Sequence, residues 1–189
     1  MNMRGMVMML KPWLKISKLV IILLVPAMPA RAESCQTLVQ RAPERAVVVA
    51  QAQLRATPAD TGARTCLAEA LFFASKFREA AAEYENLVQS APDVPQRAAA
   101  WSKAGWAWLR ADAVAQAGKA FAAAIKLQPK VAQHWLDHAT TLMQVEQYWE
   151  AQRELDYALS LAPQDAAIWA ARAECWYQLG SAAKARSDA

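Results

Sequence analysis

The residues with the best claim to chemistry are two histidines, three cysteines and several carboxylate clusters. His134 and His138 stand four apart with Asp137 between them, a spacing that can bring two imidazoles to one metal on a helix. The glutamate of a metalloprotease motif is missing, and a hydrogen-bonded, partly buried histidine explains His138 without metal. Glu79, Glu83 and Glu85, and again Glu146, Glu150 and Glu154, recur at helical spacing and read as a solvated outer face. General acid–base work needs a cleft and a reacting partner, and the sequence marks neither. Cys35, Cys66 and Cys175 are separated by 31 and 109 residues, which fits neither a zinc nor a redox motif, since both need close pairs. Phosphate loops and nucleophile elbows are also missing. The expectation is a protein that is not an enzyme, with no catalytic residue, no cofactor and no metal.

The elements that carry these residues begin with a basic, apolar leader. Residues 1–32 hold Arg4, Lys11, Lys15, Lys18 and Arg31 and no acid. Taking those five from the 21 basic residues leaves 16 against 17 acids, so the formal charge of +4 resides in the leader. A nucleic-acid partner loses its electrostatic basis. Leu19 to Val25 form an apolar run, followed by Pro26 and then Ala30-Arg31-Ala32, the order of a secretory signal peptide with a small-x-small cleavage site. At about ten residues the run is half what a spanning helix needs. The expected location is periplasmic or secreted, with a membrane met only through export or envelope assembly.

Beyond the leader the chain repeats. Trp101, Trp135 and Trp169 fall 34 residues apart, as do Pro129 and Pro163. Trp101, Ala104, Gly105, Trp108, Ala117, Phe121 and Pro129 follow the pattern W-x2-L-G-x2-Y, A-x3-F, P. The next unit reads Trp135, His138, Ala139, Leu142, Ala151, Leu155, Ala158 and Pro163. The last reads Trp169, Arg172, Ala173, Trp176, Gly180 and Ala185. Upstream, Leu67, Ala68, Leu71, Ala80, Tyr84 and Pro92 form one more unit, with Arg64 where Trp is usual. These residues resemble the tetratricopeptide repeat (TPR) family.

The resemblance implies an all-α, right-handed solenoid of stacked helical hairpins. Its units would be a signal peptide at 1–32, a partial repeat at 33–60, repeats at 61–92, 98–131 and 132–165, and a truncated one at 166–189. A three-residue insertion around Asp93, Val94 and Pro95 separates the first two full repeats. The last stops before its expected proline, which reads as a piece of a longer solenoid. Ala139, Ala151, Ala173 and Ala185 take the small-residue positions where helices approach closely. Neighbouring segments of the stack would carry Cys35 and Cys66, implying a disulfide between them and leaving Cys175 free.

Function follows from the concave face. Carried over residue by residue, the family's groove positions give Phe72, Trp106, Leu109, Leu136, Met143 and Tyr177. The basic and amide residues with which chaperone-tail-binding members hold a C-terminal carboxylate do not occur at these positions. The row suits a peptide or a partner helix rather than a small-molecule substrate. The implied function is an exported scaffold for protein–protein interactions, or else a structural segment of a larger secretion or export machine. Export is checked by N-terminal sequencing of the mature protein, which should begin at Glu33; a product that retains Leu19 to Val25 would be membrane-anchored.

Overall fold

The computed structural model describes residues 35–189, so the signal-peptide reading of residues 1–32 lies outside the described residues. Ten helices are described: α1 (Cys35–Arg41), α2 (Pro43–Ala56), α3 (Thr61–Phe73), α4 (Phe77–Ser90), α5 (Val94–Arg110), α6 (Val114–Leu127), α7 (Ala132–Gln144), α8 (Tyr148–Leu161), α9 (Ala166–Gln178) and α10 (Ala182–Asp188). Each packs chiefly on its chain neighbours, with further contacts from α1 to α3, α5 to α7 and α7 to α9. That is a stack of hairpins, α3/α4, α5/α6, α7/α8 and α9/α10, preceded by α1 and α2.

Local chemistry sets the helix ends. Pro43 opens α2, where its missing N–H costs nothing. Asp60, Asp93 and Asp165 accept from backbone N–H groups in the first turns of α3, α5 and α9, at 3.0, 2.8 and 2.9 Å, as N-caps do. The cap at Asp93 changes the reading of residues 93–97, which the sequence left between repeats. Helix α5 begins at Val94 and runs 17 residues against 13 in α3, α7 and α9, so the insertion is an added N-terminal turn of helix. Pro95 fits in that turn because an N–H there would have no helical partner, so proline's lack of one costs nothing.

The turn inside each hairpin is the same object four times. Ser75, Asp112, Glu146 and Gly180 all have positive φ, at 60, 57, 61 and 76°. In each turn the next residue's N–H reaches back to a carbonyl five residues earlier: Lys76 to Leu71, Ala113 to Trp108, Gln147 to Leu142 and Ser181 to Trp176, at 2.8–2.9 Å. This Schellman-type closure satisfies carbonyls at the helix end. Only Gly180 takes the left-handed conformation without steric cost.

Two apolar clusters form the interior. One gathers Leu38, Val39, Val47, Leu67, Leu71, Tyr84 and Leu87 with small residues of α5 and α6. The other gathers Leu136, Leu155, Leu159, Ile168 and Cys175 with alanines of α7 and α8. Alanine and glycine set the helix spacing. At Gly105 a Cβ would fall 2.6 Å from the Phe121 ring, so the bare backbone of α5 is what admits Phe121, itself fully buried on α6. A disulfide joins Cys35 to Cys66 with Cα atoms 5.8 Å apart, tying α1 to α3. Closing a loop of 31 residues contributes roughly 3 to 4 kcal/mol in the chain-entropy account, which is large beside the two buried side chains of α1, Leu38 and Val39. Cys175 is free and buried.

Glu146→Gly removes the side chain from one left-handed turn at an exposed position. It should stabilise the protein by about 0.5 to 1 kcal/mol, read as a melting temperature higher by a few degrees. A lower melting temperature would mean that Glu146 makes a compensating contact.

Candidate functional site: the concave face of α3, α5, α7 and α9

The first helices of the four hairpins each contribute groove residues, and the structure treats them unequally. Tyr177 on α9 is 66% exposed and Trp106 on α5 is 39% exposed. Phe72, Leu109 and Met143 are half-buried. Phe72 packs edge-on against Phe73 and Phe77, with ring centroids 6.1 and 5.4 Å apart. Leu136 differs from the expectation: at 9% exposure it belongs to the second apolar cluster. Its position on α7 turns it inward, so it supports the face and offers little surface to a partner.

Met143 shares a shallow cleft of about 400 Å³ with Thr140, Gln144, Tyr148, Ala171 and Glu174, between α7 and α9. Tyr177 lines a different groove, between α9 and α10. The six residues therefore form a row spread over four hairpins, and no single pocket gathers them. One ion pair lies along this side. Lys103 donates to Glu69 at 2.8 Å, joining α5 to α3, and its ammonium lies 5.8 Å from the Tyr84 ring centroid.

A polar stripe on α7 lies behind the row, and the sequence reading assigned it no role. His134, Asp137 and Thr141 are buried at helical spacing, which is the signal that could have revealed them. They face the preceding hairpin. His134 Nδ1 lies 2.9 Å from Ser102 Oγ on α5, and a Cβ on Gly118 of α6 would sit 3.6 Å from Thr141 Oγ1. Asp137, 2% exposed, accepts from Gln133 at 2.7 Å and from the Trp106 side chain. Trp106 is thus held twice, by Asp137 and by edge-on packing with Phe121 at a centroid distance of 5.7 Å. A ring fixed this way loses little side-chain freedom on binding.

Burial governs the ionisation here. It pushes the Asp137 carboxyl above its usual 3.8, with the bonds from Gln133 and Trp106 opposing, and pushes the His134 imidazole below its usual 6.5. Burial, aided by Glu174, raises the Cys175 thiol to about 11, so it stays protonated and unreactive at neutral pH. The two histidines spaced for one metal have separate engagements: His134 meets Ser102, while His138 Nδ1 lies 2.8 Å from Glu154 on α8.

Stacked helical hairpins with an apolar row along their first helices define a repeat scaffold, a class whose function is contact with other polypeptides. The tetratricopeptide repeat family model matches residues 67–132 and 136–189, and the chain belongs to that family. Its members bind protein and peptide partners and are typically non-catalytic. No curated protein sequence matches the chain. Solved structures share the fold. A crystal structure of MamA superposes with a TM-score of 0.68 at 16% identity, covering 77% of this chain and 84% of that one. MamA residues 41 to end from Desulfovibrio magneticus RS-1 gives 0.70 at 15%, covering 82% and 86%. YrrB, described as a TPR protein with an unusual peptide-binding site, gives 0.64 at 13%, covering 82% and 78%.

The depressed pKa of His134 has a defined consequence for stability. A histidine whose folded value lies below its unfolded 6.5 contributes stability that is present above 6.5 and lost as pH falls through the folded value. The raised Asp137 value acts oppositely, adding stability at low pH that is lost as pH rises through it. Melting curves of wild type and His134→Gln between pH 7 and 5 separate the two. The difference between the proteins should shrink or reverse in favour of the variant as pH falls; a constant difference would show that His134 does not titrate in this range.

Proposed function

We propose that the chain is an exported scaffold of the cell envelope that holds a peptide segment or a partner helix along the concave row of α3, α5, α7 and α9. The observation that carries this reading is Trp106: a large aromatic ring on the concave side, partly exposed and fixed from behind by Asp137 and Phe121. Rigid aromatics with apolar neighbours are the usual anchors of an interface. Leu109 on the same helix, Met143 on α7 and Phe72 on α3 extend the apolar strip to either side. An amphipathic helix or extended segment fits a strip of this kind.

Export is supported by two features that do not depend on each other. The leader has the order of charges, apolar run and small residues of a signal peptide. The Cys35 to Cys66 disulfide suits an oxidising compartment. The peptide-binding site named for YrrB lends support by analogy of fold alone.

Capture of partners from envelope extracts tests the groove. Trp106→Ala should weaken capture roughly thirtyfold, the equivalent of about 2 kcal/mol, and Met143→Ala should weaken it less. Circular dichroism must show the helices intact, because Trp106 also bonds Asp137. If Trp106→Ala captured partners as well as wild type while Glu150→Ala on the outer face abolished capture, binding would belong to the convex surface.

A further inference from the structure

One junction of the stack lacks a side chain that the later junctions have. On α7 the residue just before the repeat tryptophan is His134, buried, with its ring 2.9 Å from Ser102 of α5. On α9 it is Ile168, fully buried among the α7 and α8 residues of the second apolar cluster. The same position on α5, 34 residues before His134, holds Ala100. Across from it on α3 stands Thr65, which follows Arg64 as Ser102 follows Trp101. A methyl group does not fill that gap. A cavity of about 250 Å³ lies there, floored by Tyr84 and Leu87 of α4 and walled by Thr65 of α3 and by Ala99, Ala100 and Lys103 of α5. We propose that this cavity receives one large, uncharged apolar side chain from a polypeptide partner, which completes the junction as His134 and Ile168 complete the later ones.

Volume and charge select the guest. A cavity of about 150 Å³ is enough for a benzene ring, so this one takes a group the size of leucine or phenylalanine and is poorly filled by a methyl. Burial, with Glu69 adding to it, pushes the Tyr84 hydroxyl up from its usual 10.0, which keeps the floor uncharged at neutral pH. The Thr65 hydroxyl already donates to the Thr61 carbonyl at 2.8 Å. Lys103 is half-exposed and pairs with Glu69 at 2.8 Å, so the two charges cancel beside the cavity. A carboxylate or ammonium guest would lose its water here without gaining a free counter-charge.

The cavity lies between the first helices α3 and α5 with α4 behind it, so its mouth belongs to the concave face. None of the six row residues lines it. Trp106 stands six residues beyond Ala100 on α5, about 9 Å along the helix axis, the reach of about three residues of extended chain. A segment that touches Trp106 can therefore set a side chain in the cavity without leaving the face. The inference rests on the reading that a polypeptide lies along this face, and it adds the kind of residue that polypeptide must carry.

Capped amino acids serve as probes. Titration of the purified protein with N-acetyl-leucinamide, followed by backbone amide resonances, should shift Thr65, Leu87 and Ala100 saturably, with a dissociation constant in the millimolar range. N-acetyl-alaninamide should bind at least about tenfold more weakly. Ala100→Ile gives α5 the side chain that α9 has at this position. It should abolish the shifts, keep the helical signal, melt no lower than wild type and weaken capture from envelope extracts about tenfold. Ala100→Val, the smaller change, carries the same comparison where isoleucine disturbs the packing. No saturable shift at these residues, or shifts that survive both substitutions, overturns the proposal. Capture weakened by Trp106→Ala but by neither Ala100 variant overturns it too, and leaves the concave reading standing. Capture weakened by the Ala100 variants but not by Trp106→Ala upholds the cavity and removes Trp106 as the anchor.

Discussion

A helical hairpin alone buries only the contact between its two helices and leaves its broad faces bare, and the organisation of this chain follows from that constraint. Each added hairpin covers its predecessor and exposes a new face, so stability accrues from neighbour to neighbour. The close approaches this demands are met by alanine and glycine. Ala104, Ala117, Ala120, Ala139, Ala151 and Ala158 are all buried, and Gly105 makes room for Phe121. At the N-terminal end the constraint is met differently. Helix α1 is too short to cover much, and a covalent bond to α3 supplies the hold that packing does not.

The junction between hairpins also shows how a repeat tolerates exchange. Trp135 and Trp169 each donate their indole N–H to the carbonyl of the proline six residues before, Pro129 and Pro163, at 2.8 and 2.9 Å. Arg64 stands at the same place in the first full repeat and donates to the carbonyl of Pro58, also six residues before, at 3.1 Å. It pairs with Glu83 on α4 at 2.9 Å as well. What the position requires is a long side chain with a donor at its end and a flat body to pack. Guanidinium and indole both provide that. The substitution that weakened the sequence pattern thus leaves the contact intact.

Legibility in the sequence follows the same division. Tryptophans and prolines at a fixed period, and small residues between them, made the all-α hairpin stack readable, because each marks a place where one residue type is strongly favoured. The left-handed turns were not readable at three of four hairpins, since Ser75, Asp112 and Glu146 occupy a conformation that normally announces itself through glycine. Neither was the added turn of α5, whose first residues resemble a linker until Asp93 is seen to cap them. At the concave face, the family pattern says which side of the helix a residue takes but not how deep it lies. Leu136 and Met143 lie two turns apart on one face of α7 and differ in burial because the second apolar cluster encloses Leu136 while Met143 lies at its edge.

A polar layer separates the two apolar clusters. In the described chain the buried polar side chains are His134, Asp137, Thr141 and Gln152, all on α7 or α8, and the first three meet α5 and α6 rather than α9. Buried polar contacts are directional: they hold one arrangement well and tolerate sliding poorly. A seam of this kind fixes the angle between two hairpins more sharply than alanine packing alone. Trp106 is part of the seam as well as of the proposed groove row, so under that proposal the binding surface and the joint between two hairpins share a residue. Pressure on Trp106 from a bound segment would therefore be transmitted to Asp137 and α7, with no side chain needed between.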